Sequence, residues 1–227
     1  MTHDHEFEVP FSDRTAAGAA LASVLEDHPE LTAGRPVVVA LPRGGVPVAA
    51  PVARALGAPL DVIVVRKLGV PRQPELAMGA IGEGGVRVLE RDVIATSGVS
   101  DQQLAAVEER ETHELARRAG ILRDGRSPVP LAGRRVVVVD DGLATGSTAR
   151  AAIQVARAAG ASAVVLAVPV APPTTVTELA QVADAVVAVV TPSPFAAIGQ
   201  WYRDFSPTSD DEVVQILDRF GGDGVSR

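Results

Sequence analysis

The segment Arg134-Arg135-Val136-Val137-Val138-Val139-Asp140-Asp141-Gly142-Leu143-Ala144-Thr145-Gly146-Ser147-Thr148 constrains the fold more than any other part of the chain. Val136 to Val139 are consecutive β-branched residues, the pattern of a strand buried on both faces of a parallel sheet. Asp140 and Asp141 fall at its carboxyl end, the edge at which open α/β sheets bind ligands. From Thr148 the chain runs Ala-Arg-Ala-Ala-Ile-Gln-Val-Ala-Arg-Ala-Ala, which predicts a helix, and Gly160 stands where a left-handed cap belongs. The loop between them, Gly142 to Ser147, brings free backbone N–H groups and hydroxyls to a helix N-terminus, which attracts a phosphate dianion. Two carboxylates beside that anion would repel it unless they do something else. They can accept hydrogen bonds from the vicinal hydroxyls of a ribose, or help to hold a divalent cation. A helix cap needs one acidic residue, not a pair followed by Thr145, Ser147 and Thr148. No Gly-Lys-Ser/Thr follows and no Gly-x-Gly-x-x-Gly occurs, so this is neither a Walker loop nor a dinucleotide fingerprint.

Apolar strand patterns and helical patterns alternate along the rest of the chain. Ser12 can cap a helix over Asp13 to Leu25, with Phe11 before it as a hydrophobic staple. Strands are expected at Val37 to Leu41, Asp61 to Val65, Ala163 to Val168 and Ala185 to Val190. Helices are expected at Val46 to Leu56, Thr174 to Ala180 and Glu212 to Phe220, and Ser100-Asp-Gln-Gln103 is a capping box opening a long helix that ends near Gly120. Ala77 to Ile81 and Val86 to Leu89 flank Gly82-Glu-Gly-Gly85 as a hairpin. Strands separated by helices indicate an α/β fold with a doubly wound, mainly parallel sheet. At 227 residues and 47% hydrophobic, the chain suits a single domain, with Arg123 to Gly133 the one linker-like stretch. Without cysteine it can form neither a disulfide framework nor a thiolate zinc site. Its N-terminus lacks the apolar core of a signal peptide, and no apolar run approaches the ~20 residues needed to span a bilayer. A cytoplasmic protein with no membrane partner is expected, and a net charge of −7 argues against a nucleic-acid surface. His3 and His5 near the terminus and His113 on a charged helix read as solvated side chains rather than metal ligands.

Arg43-Gly44-Gly45 repeats the geometry of the first motif, following one predicted strand and preceding a helix, and reads as a second anion site. Glycine lets the backbone approach a ligand closely, and Arg43 adds charged donors. Lys67 is the only lysine in the chain. It follows Arg66 at the expected end of the second strand, on the same rim as both loops. A compact ammonium can follow moving phosphate oxygens where a planar guanidinium would impose a fork. Gly69-Val-Pro-Arg-Gln-Pro-Glu-Leu76 is too irregular for an element and reads as the start of a mobile loop, with Arg72 and Glu75 as its candidate contacts.

The segment from Val136 to Thr148 resembles the phosphoribosyl pyrophosphate (PRPP) signature of the type I phosphoribosyltransferases. The chain as a whole resembles a group of predicted bacterial members whose acceptor is not assigned. The resemblance implies a Rossmann-like core with a small hood or lid built from residues within 66–133 and 191–227. It implies PRPP and a nucleobase-like acceptor as small-molecule substrates, Mg²⁺ as cofactor and a homodimer. Asp140 and Asp141 would meet the ribose hydroxyls, directly or through a metal and water, and Gly142, Ala144, Thr145, Gly146, Ser147 and Thr148 would hold the 5-phosphate. Leu41-Pro-Arg-Gly-Gly-Val46 looks like the loop that contacts pyrophosphate, giving Arg43, Gly44 and Gly45 that role. Arg66-Lys67 is similar to the pair in orotate and adenine phosphoribosyltransferases, where such a lysine meets the pyrophosphate and serves catalysis. The stretch from Thr191 to Phe205 resembles the hypoxanthine/guanine enzymes, so Phe195 would stack on the base, Tyr202 would line the acceptor site and Arg203 would reach the diphosphate. Those purine enzymes carry a lysine shortly before the last strand and this chain has none, which counts against a 6-oxopurine acceptor. Two rivals stay open: a noncatalytic sensor of PRPP or nucleotides, and a hydrolase that passes the phosphoribosyl group to water.

Overall fold

A computed structural model of the chain describes residues 10–221, so His3 and His5 lie outside the described residues. The elements, in order, are α1 (Arg14–Glu26), α2 (Pro29–Thr32), β1 (Val37–Ala40), α3 (Gly45–Ala55), β2 (Leu60–Val62), β3 (Val65–Val70), β4 (Gln73–Gly82), β5 (Val86–Leu89), α4 (Arg91–Thr96), α5 (Asp101–Arg123), β6 (Arg135–Val139), α6 (Ser147–Ala158), β7 (Ala163–Val170), α7 (Pro173–Leu179), β8 (Ala185–Val190) and α8 (Asp210–Gly221). The core sheet has five strands in the order β2-β1-β6-β7-β8, and every pairing in it is parallel. The fold is therefore the α/β parallel sheet with helices that the alternation of patterns predicts.

Val136 to Val139 occupy the middle strand and are fully buried, and their alternation decides which layer each one serves. Val137 and Val139 pack with Leu21, Leu25, Val46 and Leu217 on the side of α1, α3 and α8. Val136 and Val138 pack with Ile153, Val155 and Leu179 on the side of α6 and α7. A strand with helices on both faces has no polar face to show, which is why four valines in a row suit it.

The second strand departs from expectation. Asp61 to Val65 is not one strand: β2 ends at Val62, Ile63 donates the last bond to Ala40 O at 3.0 Å, and β3 then begins a separate antiparallel sheet, β3-β4-β5. Ile63 and Val64 are buried in different clusters, so the run stays apolar while its pairing partner changes, a change that hydrophobicity alone does not register. Residues 69–76 likewise form a hairpin rather than an irregular loop. A register shift at Gly69 absorbs the prolines, and a Cβ at that glycine would lie 2.5 Å from Pro74 O.

The capping box is present on α5, with Ser100 Oγ accepting from Gln103 N and Gln103 Oε1 accepting from Ser100 N. At the other end of α5, Arg123 donates to Asp61 Oδ1 (2.7 Å) and to both carboxylate oxygens of Glu83 (2.5 and 2.8 Å), joining α5 to the edge of the core sheet and to the turn after β4. Asp13, not Ser12, caps α1 by accepting from Ala16 N at 2.8 Å, which makes Arg14 the first helical residue. Among the described residues no helix is long and apolar enough to cross a membrane.

Candidate functional site

β1 and β6 are adjacent and in register from Val37↔Val136 to Ala40↔Val139, and Leu41 N donates to Val139 O at 2.8 Å. Both chains therefore leave the sheet at one level, and the loop after β1 faces the two carboxylates after β6. The facing is tight. A Cβ at Gly44 would lie 1.9 Å from Asp141 Oδ2, and one at Gly45 would lie 2.7 Å from Val139 O and 3.0 Å from the Asp140 Cα. Gly44 and Gly45 are thus required for the close approach of loop and strand end. The Pro42–Arg43 peptide between the strand and these glycines is cis. Arg43 itself stands beside Asp210 at the start of α8, with Nη1 3.8 Å from Oδ1 and the side chain 41% exposed.

Asp140 Oδ1 accepts the Asp141 N–H at 2.9 Å. Burial pushes the Asp140 carboxyl well above the usual carboxylate range, and the Asp141 charge beside it adds to the rise. Burial also raises Asp141, against the opposing hydrogen bond from Arg14, whose Nε donates to Asp141 Oδ2 at 2.8 Å. Two adjacent carboxylates raised by burial are a place where an added cation or hydrogen-bond donor would be stabilised. Among the described residues no three His, Cys, Asp or Glu side chains stand together as a metal cage. The pair nevertheless fits Mg²⁺, which is commonly held by one or two carboxylates with the remaining ligands from water and substrate phosphates.

In the loop after these carboxylates Leu143 N donates to Val170 O at 2.9 Å, and no hydrogen bond among the described residues takes the N–H groups from Ala144 to Thr148. Gly146 takes the left-handed conformation (φ 69°, ψ 8°) at the N-cap of α6, and a Cβ there would lie 2.8 Å from Leu179 Cδ1 and 2.9 Å from Thr175 Cγ2. α7 holds the loop from below, with Thr175 Oγ1 donating to Ala144 O at 2.7 Å. Ala144, Thr145 and Thr148 are exposed, Ser147 is half-buried, and Thr145 Oγ1 lies 3.4 Å from Ser147 Oγ. No side chain caps α6 at Gly146, and the carboxylate of Asp141 is engaged by Arg14 instead. The buried Gly142 leaves room for Ile198, whose Cγ2 would lie 2.7 Å from a Cβ at that position.

Lys67 sits inside β3, opposite Ala80, not at the end of a core strand. The structure still brings it near the loop, since Lys67 and Thr148 line one cavity of about 500 Å³ together with Arg66, Arg110 and Glu111. Its Nζ contacts Glu75 O (3.3 Å) and Oε2 (3.2 Å), while Arg72 lies at the hairpin turn. Arg66 is committed to α5, donating through Nε and Nη2 to Glu111 Oε2 at 2.9 and 2.7 Å.

In the aromatic group near the C-terminus, Tyr202 is placed differently from expectation. Tyr202 is 5% exposed, its ring 5.5 Å from that of Phe11 and 4.9 Å from that of Phe205, and its hydroxyl donates to Asp141 O at 2.6 Å. Burial first, and then the Asp141 charge, raise its phenol pKa. Tyr202 therefore supports the backbone beneath Asp141 and has no face free for a base, and Phe195 is half-buried in the same cluster. The cause is a pairing of the segment before α1 with the segment before α8: Phe11 N donates to Trp201 O (3.3 Å), Arg203 N to Phe11 O (2.9 Å) and Asp204 N to Ser12 O (2.9 Å). The Arg203 side chain is exposed on this ribbon.

Sequence reasoning missed Arg14. A signal existed: a cation at the first position of a helix opposes the helix dipole, and such a local misfit often marks an outside commitment.

These features define an α/β domain with an open helix N-terminus, a carboxylate pair and a second glycine loop at one edge of a parallel sheet. The phosphoribosyl transferase domain model matches residues 13–196, and the chain belongs to that family. Two relatives from Mycobacterium tuberculosis strains CDC 1551 / Oshkosh and ATCC 25618 / H37Rv, each provisionally named a phosphoribosyl transferase, are 57% identical over 209 residues, or 92% of this chain. The chain spans only 46% of the length of each of them. The crystal structure of TT1426 from Thermus thermophilus is 45% identical with a TM-score of 0.85, covering 92% of this chain and 98% of that one.

Proposed function

We propose that the protein transfers the 5-phosphoribosyl group of PRPP to a nitrogenous, nucleobase-like acceptor and releases pyrophosphate. The observation that carries this reading is the apposition of Gly44 and Gly45 to Asp140 and Asp141, with the uncapped loop of α6 following directly. A ligand with vicinal hydroxyls between two phosphate groups matches that order of loop, carboxylates and loop. In the reaction the bond from the anomeric carbon to the diphosphate oxygen breaks, its electron pair leaves with the diphosphate, and the acceptor nitrogen bonds to that carbon and loses a proton. Positive charge grows on the ribose, close to Asp140 and Asp141, which orient its hydroxyls. Negative charge grows on the leaving group, within reach of the loop after β1 and of Lys67, where fixed charges act most strongly once water is excluded. Arg43 and Arg203 join that set by swinging from Asp210 and from solvent. Asp140 and Asp141 would hold magnesium, directly or through water, and the metal when bound supplies charge neutralisation for the diphosphate.

The test is pyrophosphate release with Mg²⁺ and PRPP alone, then with a panel of nucleobases. Release that requires a base is the expected result. Release without one identifies a hydrolase, and PRPP binding without turnover identifies a sensor. A homodimer and a cytoplasmic setting belong to the same proposal, the first checked by sedimentation and the second by cell fractionation.

A further inference from the structure

Arg14 makes three separate attachments. Its Nε donates to Asp141 Oδ2 at 2.8 Å, its Nη1 donates to Ser206 O at 2.7 Å, and its guanidinium carbon stands 4.0 Å from the centre of the Phe205 ring. Its side chain is 11% exposed, so the pairing is screened far less than a surface one. The oxygen it holds, Asp141 Oδ2, is also the one facing Gly44. Asp141 is further fixed at its N–H by Asp140 Oδ1 and at its carbonyl by the Tyr202 hydroxyl. Three polar groups of one residue are thus held, by Asp140 just after β6, by the first residue of α1 and by the segment before α8. The ion pair with Arg14 falls on Oδ2, and among the described residues no side chain donates a hydrogen bond to Oδ1.

We propose that Arg14 is a positioning residue, holding the Asp141 carboxylate in the one orientation that presents Oδ1 to a ribose hydroxyl. The role rests on the reading that a phosphoribosyl ligand binds at Asp140 and Asp141. It makes the contact between the start of α1 and the segment before α8 part of the site, because the guanidinium is held in place by Ser206 and Phe205. A planar fork suits this better than an ammonium, since one donor must reach Asp141 while another reaches a carbonyl.

The experiment is a double-mutant cycle read by calorimetric affinity for PRPP with magnesium, in the parent, Arg14→Gln, Asp141→Asn and the double variant. Each single change should weaken binding about tenfold or more, the loss of one charge-assisted hydrogen bond. The double variant should bind no more weakly than Asp141→Asn, because Arg14 then has no carboxylate to orient. Arg14→Lys should recover part of the affinity. Leu21→Val, on the buried face of the same helix, supplies the control for stability: it should lower the melting temperature and leave affinity unchanged. Additive losses in the cycle, parental affinity in Arg14→Gln, or an equal loss in Leu21→Val would overturn the positioning role while leaving the PRPP site standing. A parent protein that binds no PRPP would overturn the reading of the site and the role of Arg14 with it.

Discussion

Asp140 shows at the scale of one residue what a buried carboxylate costs a fold. Its carboxyl is raised by burial and by the charge of Asp141. A folded-state pKa above the ordinary Asp value of ~3.9 means that the folded protein holds the proton more tightly than the unfolded chain. The associated stability is present below that value and is lost as pH rises through the raised one. In the absence of ligand, Asp140→Asn should therefore raise the melting temperature at pH 7, by about 2 to 4 °C for each kcal/mol recovered, and the difference should close toward pH 3. Thermal melts across that range check the sign; a variant that melts lower at pH 7 would show that the Asp140 bond to Asp141 N outweighs the burial of charge. Residue chemistry was also where reading by pattern succeeded best. Asp140, Asp141 and the loop through Thr148 stand at a sheet edge because their order along the chain places them there.

Among elements, the turn into α6 carries the sharpest requirement. Gly146 needs both a positive φ and an empty Cβ position, whereas Gly84 has a similar φ of 72° with nothing within 4 Å of a Cβ. Gly146→Ala should cost more than Gly84→Ala, roughly 2 to 4 kcal/mol against about 1, because overpacking adds to the backbone cost only at the former. Urea unfolding of both variants measures the difference, and equal losses would mean that Leu179 and Thr175 move aside freely. The element reading failed where partners change. The apolar run through Ile63 and Val64 carries no mark of the switch from β1 to an antiparallel neighbour. The prolines of residues 69–76 suggested a loop because a bulge that tolerates them is visible only with both strands present.

For the molecule as a whole, Arg123 is the joint. It connects α5, the core sheet through Asp61 and the turn after β4 through Glu83, and Asp61 also accepts from Val129 N at 2.7 Å. Arg123→Met removes the cation and leaves a 7% exposed Asp61 behind, so a loss of about 3 to 5 kcal/mol is expected, with part of it returned by adding Asp61→Asn. The urea midpoints of the single and double variants test this, and an indifferent single variant would show that water already reaches the pair. Local order along the chain was enough to determine the parallel sheet, its two helical layers and the carboxylates and loop at its edge, because each follows from hydrophobic period and from neighbours a few residues away. Only the tertiary structure decided that Arg14 holds Asp141, that Tyr202 lies beneath it rather than beside a base, that Arg66 belongs to Glu111 and that Lys67 rides on a hairpin. Those contacts join segments far apart in sequence, and their partners are selected by packing and charge in three dimensions, which leave no period in the chain.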